Sequence, residues 1–382
     1  MKRLYAVAAC VALGTACSGD ALEPASTPAF ASALPGAVSG SVTVMTRNVY
    51  LGTDVDAVIS APPDQVPIAA AQAFATVQAT DFPARAEALA DEIAATNPHL
   101  VGLQEVVLFR TQTPGDAALG GTEPATEVFQ DFLEILLDAL AARNLDYRVV
   151  VVQQAFDAEV PALIGIGPGG PQFMDVRLTD RDAILARGDV STSDPRGANF
   201  TANLPISIGA QSLVIPRGWT STVATVGRHT FRFVNTHLET QAAPPVQVAQ
   251  AAELLSIAQA DPLPVIMAGD FNSDAGGTQT ATYGMLTAAG FRDVWLDAHP
   301  ESPGLTCCHA SDLRNETASF DQRIDLILVG DVFRTLNAGL AGGVHVTVVG
   351  DEPADRTPSG LWPSDHAGVV ASLRLPRIVA GR

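Results

Sequence analysis

The chain has 382 residues, 47% of them hydrophobic but only 6% aromatic, with 32 Gly and 26 Pro. That composition supplies a sizeable core and frequent turns, so one large domain that folds without disulfides is expected. The formal net charge of −19 repels polyanions on average. It argues against a nucleic-acid binder relying on Lys and Arg, unless a local positive cleft or a bound cation reverses the sign.

Met1-Lys2-Arg3, the apolar run Leu4 to Leu13 and Gly14-Thr15-Ala16-Cys17 read as an export signal over residues 1–17. The run is too short to span a bilayer, which takes about 20 residues. The expectation is therefore an exported protein, extracellular or held at the cell envelope. Cys17 after three small residues fits a lipoprotein processing site and makes it a candidate membrane tether, although Gly14 stands where a large aliphatic residue is usual. Residues 18–40, rich in Ala, Pro, Ser and Gly, read as a flexible linker, and residues 41–376 as the domain.

Ser41 to Asn48 alternates as a strand, with Val42 and Val44 on one face and Thr43 and Met45 on the other. Pro83 to Asn97 reads as a helix and His99 to Val106 as a strand ending in Gln104-Glu105. A helix is expected over Ala125 to Arg143, where Val128, Phe132, Leu136 and Leu140 recur every four residues. Tyr147 to Val152 follows as a strand. The Gly- and Pro-rich stretches Val107 to Pro124 and Ala155 to Thr179 read as long connections framing a substrate. Ser221 to Val226 and Thr230 to Asn235 flank Gly227-Arg228 as a hairpin. Pro245 to Ala260 is helical and leads to the strand Pro264 to Ala268. Arg323 to Val329 and Ala367 to Leu373 complete the strands.

Polar groups collect where these apolar strands stop, as they do in sheet proteins that bind or catalyse at a rim. Singly, each has a plain structural explanation: Asn48 as a turn cap, Glu105 as a surface carboxylate, Asp270 and Asn272 as a turn, His237 as a core histidine. Asp325 is different, because it interrupts Ile324-Asp325-Leu326-Ile327-Leu328-Val329 and needs a donor or cationic partner. His366, after Ser364-Asp365, can supply one.

The ordered series Asn48, Gln104-Glu105, Asn235-Thr236-His237, Gly269-Asp270-Phe271-Asn272, Arg323-Ile324-Asp325 and Ser364-Asp365-His366 resembles the endonuclease/exonuclease/phosphatase family. The resemblance runs from about Thr43 to Leu373. It implies an α/β (α+β), DNase I-like fold: a four-layer α/β/β/α sandwich of two mixed sheets with the site on one rim. It also implies a phosphoester hydrolase that depends on Mg²⁺ or Mn²⁺. Asn48, Glu105 and Asp365 would be metal ligands. Asp270 and Asn272 would orient the attacking water, and His237 and His366 would hold phosphoryl oxygens, with the Asp325–His366 pair an alternative general base. Asn235 and Asp182, the latter in Arg181 to Arg187, which resembles the family's mid-domain strand, would face substrate.

Many nuclease members carry an acid two positions after the strand-end Asn. Tyr50 stands there, and Asn-Val-Tyr looks more like the secreted sphingomyelinase branch. A monomeric phosphodiesterase acting on lipid or small-molecule phosphoesters is therefore expected. A secreted DNase or RNase, a phosphomonoesterase and a catalytically inactive binding module are the alternatives. Cys307 and Cys308 are adjacent, which leaves a strained vicinal disulfide, free thiols or zinc ligation open. His309 is expected to be structural.

Overall fold

The structure is a computed structural model that describes residues 41–209, 211–330 and 344–374. The expected export signal and linker, Cys17 and the last two residues of the expected domain, 375 and 376, lie outside the described residues. In chain order the first elements are β1 (Ser41–Asn48), α1 (Asp56–Ile59), α2 (Val66–Ala79), α3 (Phe82–Thr96), β2 (Leu100–Gln104), β3 (Leu108–Gln112), β4 (Glu127–Asp131) and α4 (Phe132–Ala142). The long strands β5 (Tyr147–Gly167) and β6 (Gly170–Arg187) follow, then β7 (Ser191–Asn199), β8 (Leu204–Ile208), β9 (Gln211–Ile215), β10 (Gly218–Val226) and β11 (His229–His237). The chain continues through α5 (Pro244–Gln259), β12 (Val265–Asp270), α6 (Thr282–Ala288), β13 (Arg292–Asp293), α7 (Val294–Ala298), β14 (Asp325–Val329), β15 (Val344–Val349) and β16 (Gly368–Arg374).

Strand alternation builds the layers. Val42 and Val44 of β1, with Ile184 and Ala186 of β6, meet Phe231, Phe233, Ile266 and Ile327 of the facing sheet. Met45 and the outer residues of β2 and β6 instead pack against Phe82, Leu89 and Ile93 of α3 and Leu136 and Leu140 of α4. Leu254 and Leu255 of α5 cover Met267 and Leu328 on the far side. The result is two mixed sheets face to face with helices outside, as expected. One sheet runs β15-β16-β1-β2-β6-β3-β4, with β5 paired to β6; the other runs β13-β14-β12-β11-β10-β7; β8 and β9 form a separate pair.

Three expectations are corrected. The segment expected as one helix over Ala125 to Arg143 begins as strand β4, which pairs with β3, and Val128 is exposed there. The helix starts only at Phe132, where the Asp131 side chain accepts from the Leu133 and Glu134 N–H groups. Edge pairing overrides the four-residue period before that cap. The stretch expected as a loop over Ala155 to Thr179 is the hairpin of β5 and β6, turning at Pro168-Gly169. Register shifts at Val149/Val151, Gln154/Asp157 and Leu163/Gly165 are bulges that break the period-two pattern and hide the strands. The Val107 to Pro124 connection likewise contains β3.

The rim follows from topology. Strands β1 and β2 run parallel, as do β11 and β12, so Asn48, Gln104-Glu105, His237 and Asp270 emerge at the same edge. β14 is antiparallel to β12, with Asp325 opposite Asp270. β16 is antiparallel to β1, which puts Asp365-His366 just before its start and beside the end of β1.

Candidate active site

Asn48 is the hub. Its amide donates to Glu105 Oε1 and Asp270 Oδ2, both at 3.1 Å, and its carbonyl accepts from the Tyr50 N–H at 2.9 Å. Glu105 Oε2 accepts from the Leu51 N–H at 2.7 Å. Behind the rim, Ser364 Oγ donates to the Asn48 carbonyl. Arg47 donates to the His366 carbonyl and, at 2.8 Å, pairs with buried Glu92. Fully buried Arg85 donates to the carbonyls of Val49, Tyr50, Thr80 and Pro363. It thereby fixes both loops that carry site residues.

Asp325 has the partner it requires: its Oδ2 lies 2.8 Å from His366 Nδ1. Burial works against a charged His366, but Asp325 first, then Asp365 and Asp270, hold its pKa well above the ordinary value. Burial and the neighbouring Asp325 carboxylate push Asp270 up to about 7. Burial, then Arg217, holds His237 well below its ordinary value and therefore neutral. Its Nε2 is 3.5 Å from Asp270 Oδ2. Asn272 donates its backbone N–H to Asp270 Oδ1 and its side-chain amide to the Leu238 carbonyl.

Asn235 does not face a substrate. It is fully buried, its amide donates to Leu103 O, Ala183 O and Thr220 Oγ1, and its carbonyl accepts from Gln104. It ties the two sheets together behind the rim instead. Asp182 does reach the site. Both its oxygens are buried without a hydrogen-bond partner, and burial, then Asp180, raises its pKa well above the ordinary value.

Asp180, Arg217 and Glu239 complete the cluster and escaped the sequence reading. Arg217 Nη1 lies 3.2 Å from the His237 ring and 3.8 Å from Asp180, and Nη2 lies 3.8 Å from Glu239. The strand period of β6 carried a signal for Asp180, which shares a face with Asp182, Ile184 and Ala186. Arg217 sits in the Pro216-Arg217-Gly218 link and had none. Cys307 and Cys308 place their sulfurs 3.7 and 4.0 Å from His366 Nε2, so their loop adjoins the site. His309 is structural, packed between Phe320 and Trp362.

The donor set suits a divalent cation. Asp325 Oδ1, Asp180 Oδ1 and both Asp182 oxygens are buried and unpartnered, a concentration of negative charge that calls for a cation. Ligand atoms of Asp270, Asp325 and His366 lie within 4.8 Å of one another. Partly exposed Glu105 and Asp365 offer hard oxygens at the rim.

Residues 48–366 match the model of the endonuclease/exonuclease/phosphatase family. The chain belongs to that family. Members of the family are metal-dependent phosphoester hydrolases. Among similar solved structures is a family protein from Leptotrichia buccalis, 16% identical, covering 87% of this chain and 99% of that one with a TM-score of 0.52. A mannosyl-6-phosphatase from Bacteroides thetaiotaomicron is also 16% identical, with 87% and 98% covered and a TM-score of 0.51. A second Bacteroides thetaiotaomicron family protein is 15% identical, with 87% and 94% covered and a TM-score of 0.50. At such identities the likeness shows the shared DNase I-like fold. No curated protein matches the sequence.

Proposed function

We propose that this family member is an exported Mg²⁺- or Mn²⁺-dependent phosphodiesterase acting on lipid or small-molecule phosphoesters. The observation that carries the reading is the Asn48 amide joining Glu105 to Asp270, which sets a rim carboxylate and a buried one around one reaction centre. Glu105 and Asp365, with the Asn48 carbonyl beside them, would hold the cation. When bound, it neutralises charge on the phosphoryl oxygens.

The residues divide the remaining work by their charge states. Asp270, poised at about 7, is suited to take the proton of the attacking water. Its Oδ1 is fixed by the Asn272 N–H. His366 is kept cationic by Asp325, which favours holding a phosphoryl oxygen over acting as base. Neutral His237 can donate one hydrogen bond without adding charge. The net charge of −19 favours a small or lipid phosphoester over a polyanion. Export rests on the basic, apolar and small-residue pattern of residues 1–17.

The test is hydrolysis of a chromogenic phosphodiester with Mg²⁺ or Mn²⁺, beside phospholipid micelles and plasmid DNA. Asp325→Asn is expected to lower the rate about 10²–10⁴-fold, because it removes the charge that keeps His366 protonated, and His366→Ala serves as contamination control. A folded, cation-binding protein that turns over no diester would sink the reading. Cleavage of plasmid without phospholipid cleavage would replace lipid with nucleic acid.

A further inference from the structure

Beside the rim lies an apolar cleft that Glu105, Asp180 and Arg217 of the site also line. Helix α2 presents Ala70, Ala73, Phe74 and Val77 to it at i, i+3, i+4 and i+7, and Val160 and Leu178 of the β5–β6 hairpin form the opposite wall. The cleft has a cavity volume of about 140 Å³ and opens to solvent at its mouth, a narrow space that suits a slender chain better than a bulky group. Alanines at 70 and 73, where a large side chain would close the gap, keep it open.

Four of its lining residues are polar. Three of them, Glu105, Asp180 and Arg217, belong to the centre described above, and Thr53 is the fourth. A molecule filling the cleft therefore has its polar end at the phosphoester site and its apolar part against α2. A nucleobase fits poorly, because its hydrogen-bonding edges would be desolvated against walls that offer them almost no partner.

Resting on the phosphodiesterase reading, we infer that the substrate is a single-chain amphiphile: a phosphodiester whose aliphatic chain lies in the cleft while its phosphoryl group sits among Glu105, His237 and Asp270. Each buried methylene then contributes about fourfold in affinity, the equivalent of about 0.8 kcal/mol. The experiment uses p-nitrophenyl phosphodiesters bearing methyl, butyl and octyl groups, with Mg²⁺. In the wild-type protein kcat/KM is expected to climb with chain length, mostly through KM. Ala73→Trp, which fills the cleft, is expected to flatten the series; Ala73→Leu, a milder filling, is expected to flatten it in part.

Binding of octyl phosphate and methyl phosphate by calorimetry reads the cleft without turnover. Octyl phosphate should bind wild type at least 100-fold more tightly, an advantage that the filled variants reduce. Equal binding of the two phosphates, or a flat wild-type series with the methyl ester turned over, overturns the inference and leaves the phosphodiesterase reading standing. Chain-dependent binding with no ester hydrolysed upholds the cleft as an aliphatic-chain site and overturns the phosphodiesterase reading and, with it, a phosphodiester as the occupant.

Discussion

Arg85→Met removes the donor on which both site-bearing loops hang. The side chain is 0% exposed, and four buried carbonyls on three chain segments accept from it: Thr80, Val49 with Tyr50, and Pro363. Leaving each without its charged donor costs about 1.5–2 kcal/mol, or about 7 in all. Against this stands relief of a desolvated charge. Burial lowers the Arg85 pKa to about 10, a shift equivalent to about 3 kcal/mol. The net loss is about 4 kcal/mol, a large share of the ~5–15 kcal/mol that holds a typical fold. With a urea slope of about 3 kcal/mol per M, the unfolding midpoint should fall by more than 1 M. Arg85→Lys keeps a charge but cannot span four acceptors and should recover less than half. A Met variant within about 0.3 M of wild type would refute the reasoning that these carbonyls depend on Arg85.

In EDTA, Asp182→Asn should be more stable than wild type at pH 8, with the gap closing toward pH 4.5. The folded pKa of Asp182 lies well above its ordinary 3.8, so the wild type loses stability as pH rises through that range and the amide does not; urea midpoints at the two pH values measure it. Asp365 and Asp270 are pushed up to about 6 and 7, so below those values protons compete with a cation. Calorimetric Mg²⁺ affinity should therefore tighten by about tenfold or more per pH unit between 5 and 6 and level off above 7; an affinity independent of pH would count against Asp365 as a ligand and against Asp270 as a neighbour whose proton the cation displaces.

Period-two and helical patterns made most of the architecture readable, and they also carried signals that went unused. In β1, Met45 and Arg47 share the face toward α3. In α3, Arg85, Leu89 and Glu92 fall on the buried side at helical spacing, so a cation and an acid standing at core positions announce the Arg47–Glu92 pair and the Arg85 cradle. The rim motifs were legible because each stands at one end of an apolar strand. Asn235 was misread because it shares the face of His237 on the strand but lies two residues deeper between the sheets, where Gln104 and two carbonyls use its amide. Arg217 was invisible because a link between strands has no period, and only the folded topology brings it to His237. The β5–β6 hairpin was lost to its bulges.

The rim also stores strain in a patterned way. Tyr50, Glu105 and Asn272 adopt left-handed backbone angles, with φ of 60°, 59° and 49°, each immediately beyond or near the end of a strand that feeds the site. Such conformations cost about 1–3 kcal/mol apiece for non-glycine residues and persist where the surroundings over-determine them. Two of the three carry a backbone N–H captured by a site side chain, Tyr50 N by Asn48 and Asn272 N by Asp270, and the Glu105 carboxylate holds the next one, Leu51 N. The reversals after β1 and β12 are therefore fixed by the same carboxylates and amide that line the reaction centre. Replacing Asp270 or Glu105 should accordingly disturb the local backbone as well as the chemistry, and a purely chemical account of such variants would credit the lost charge with an effect that belongs partly to the turn.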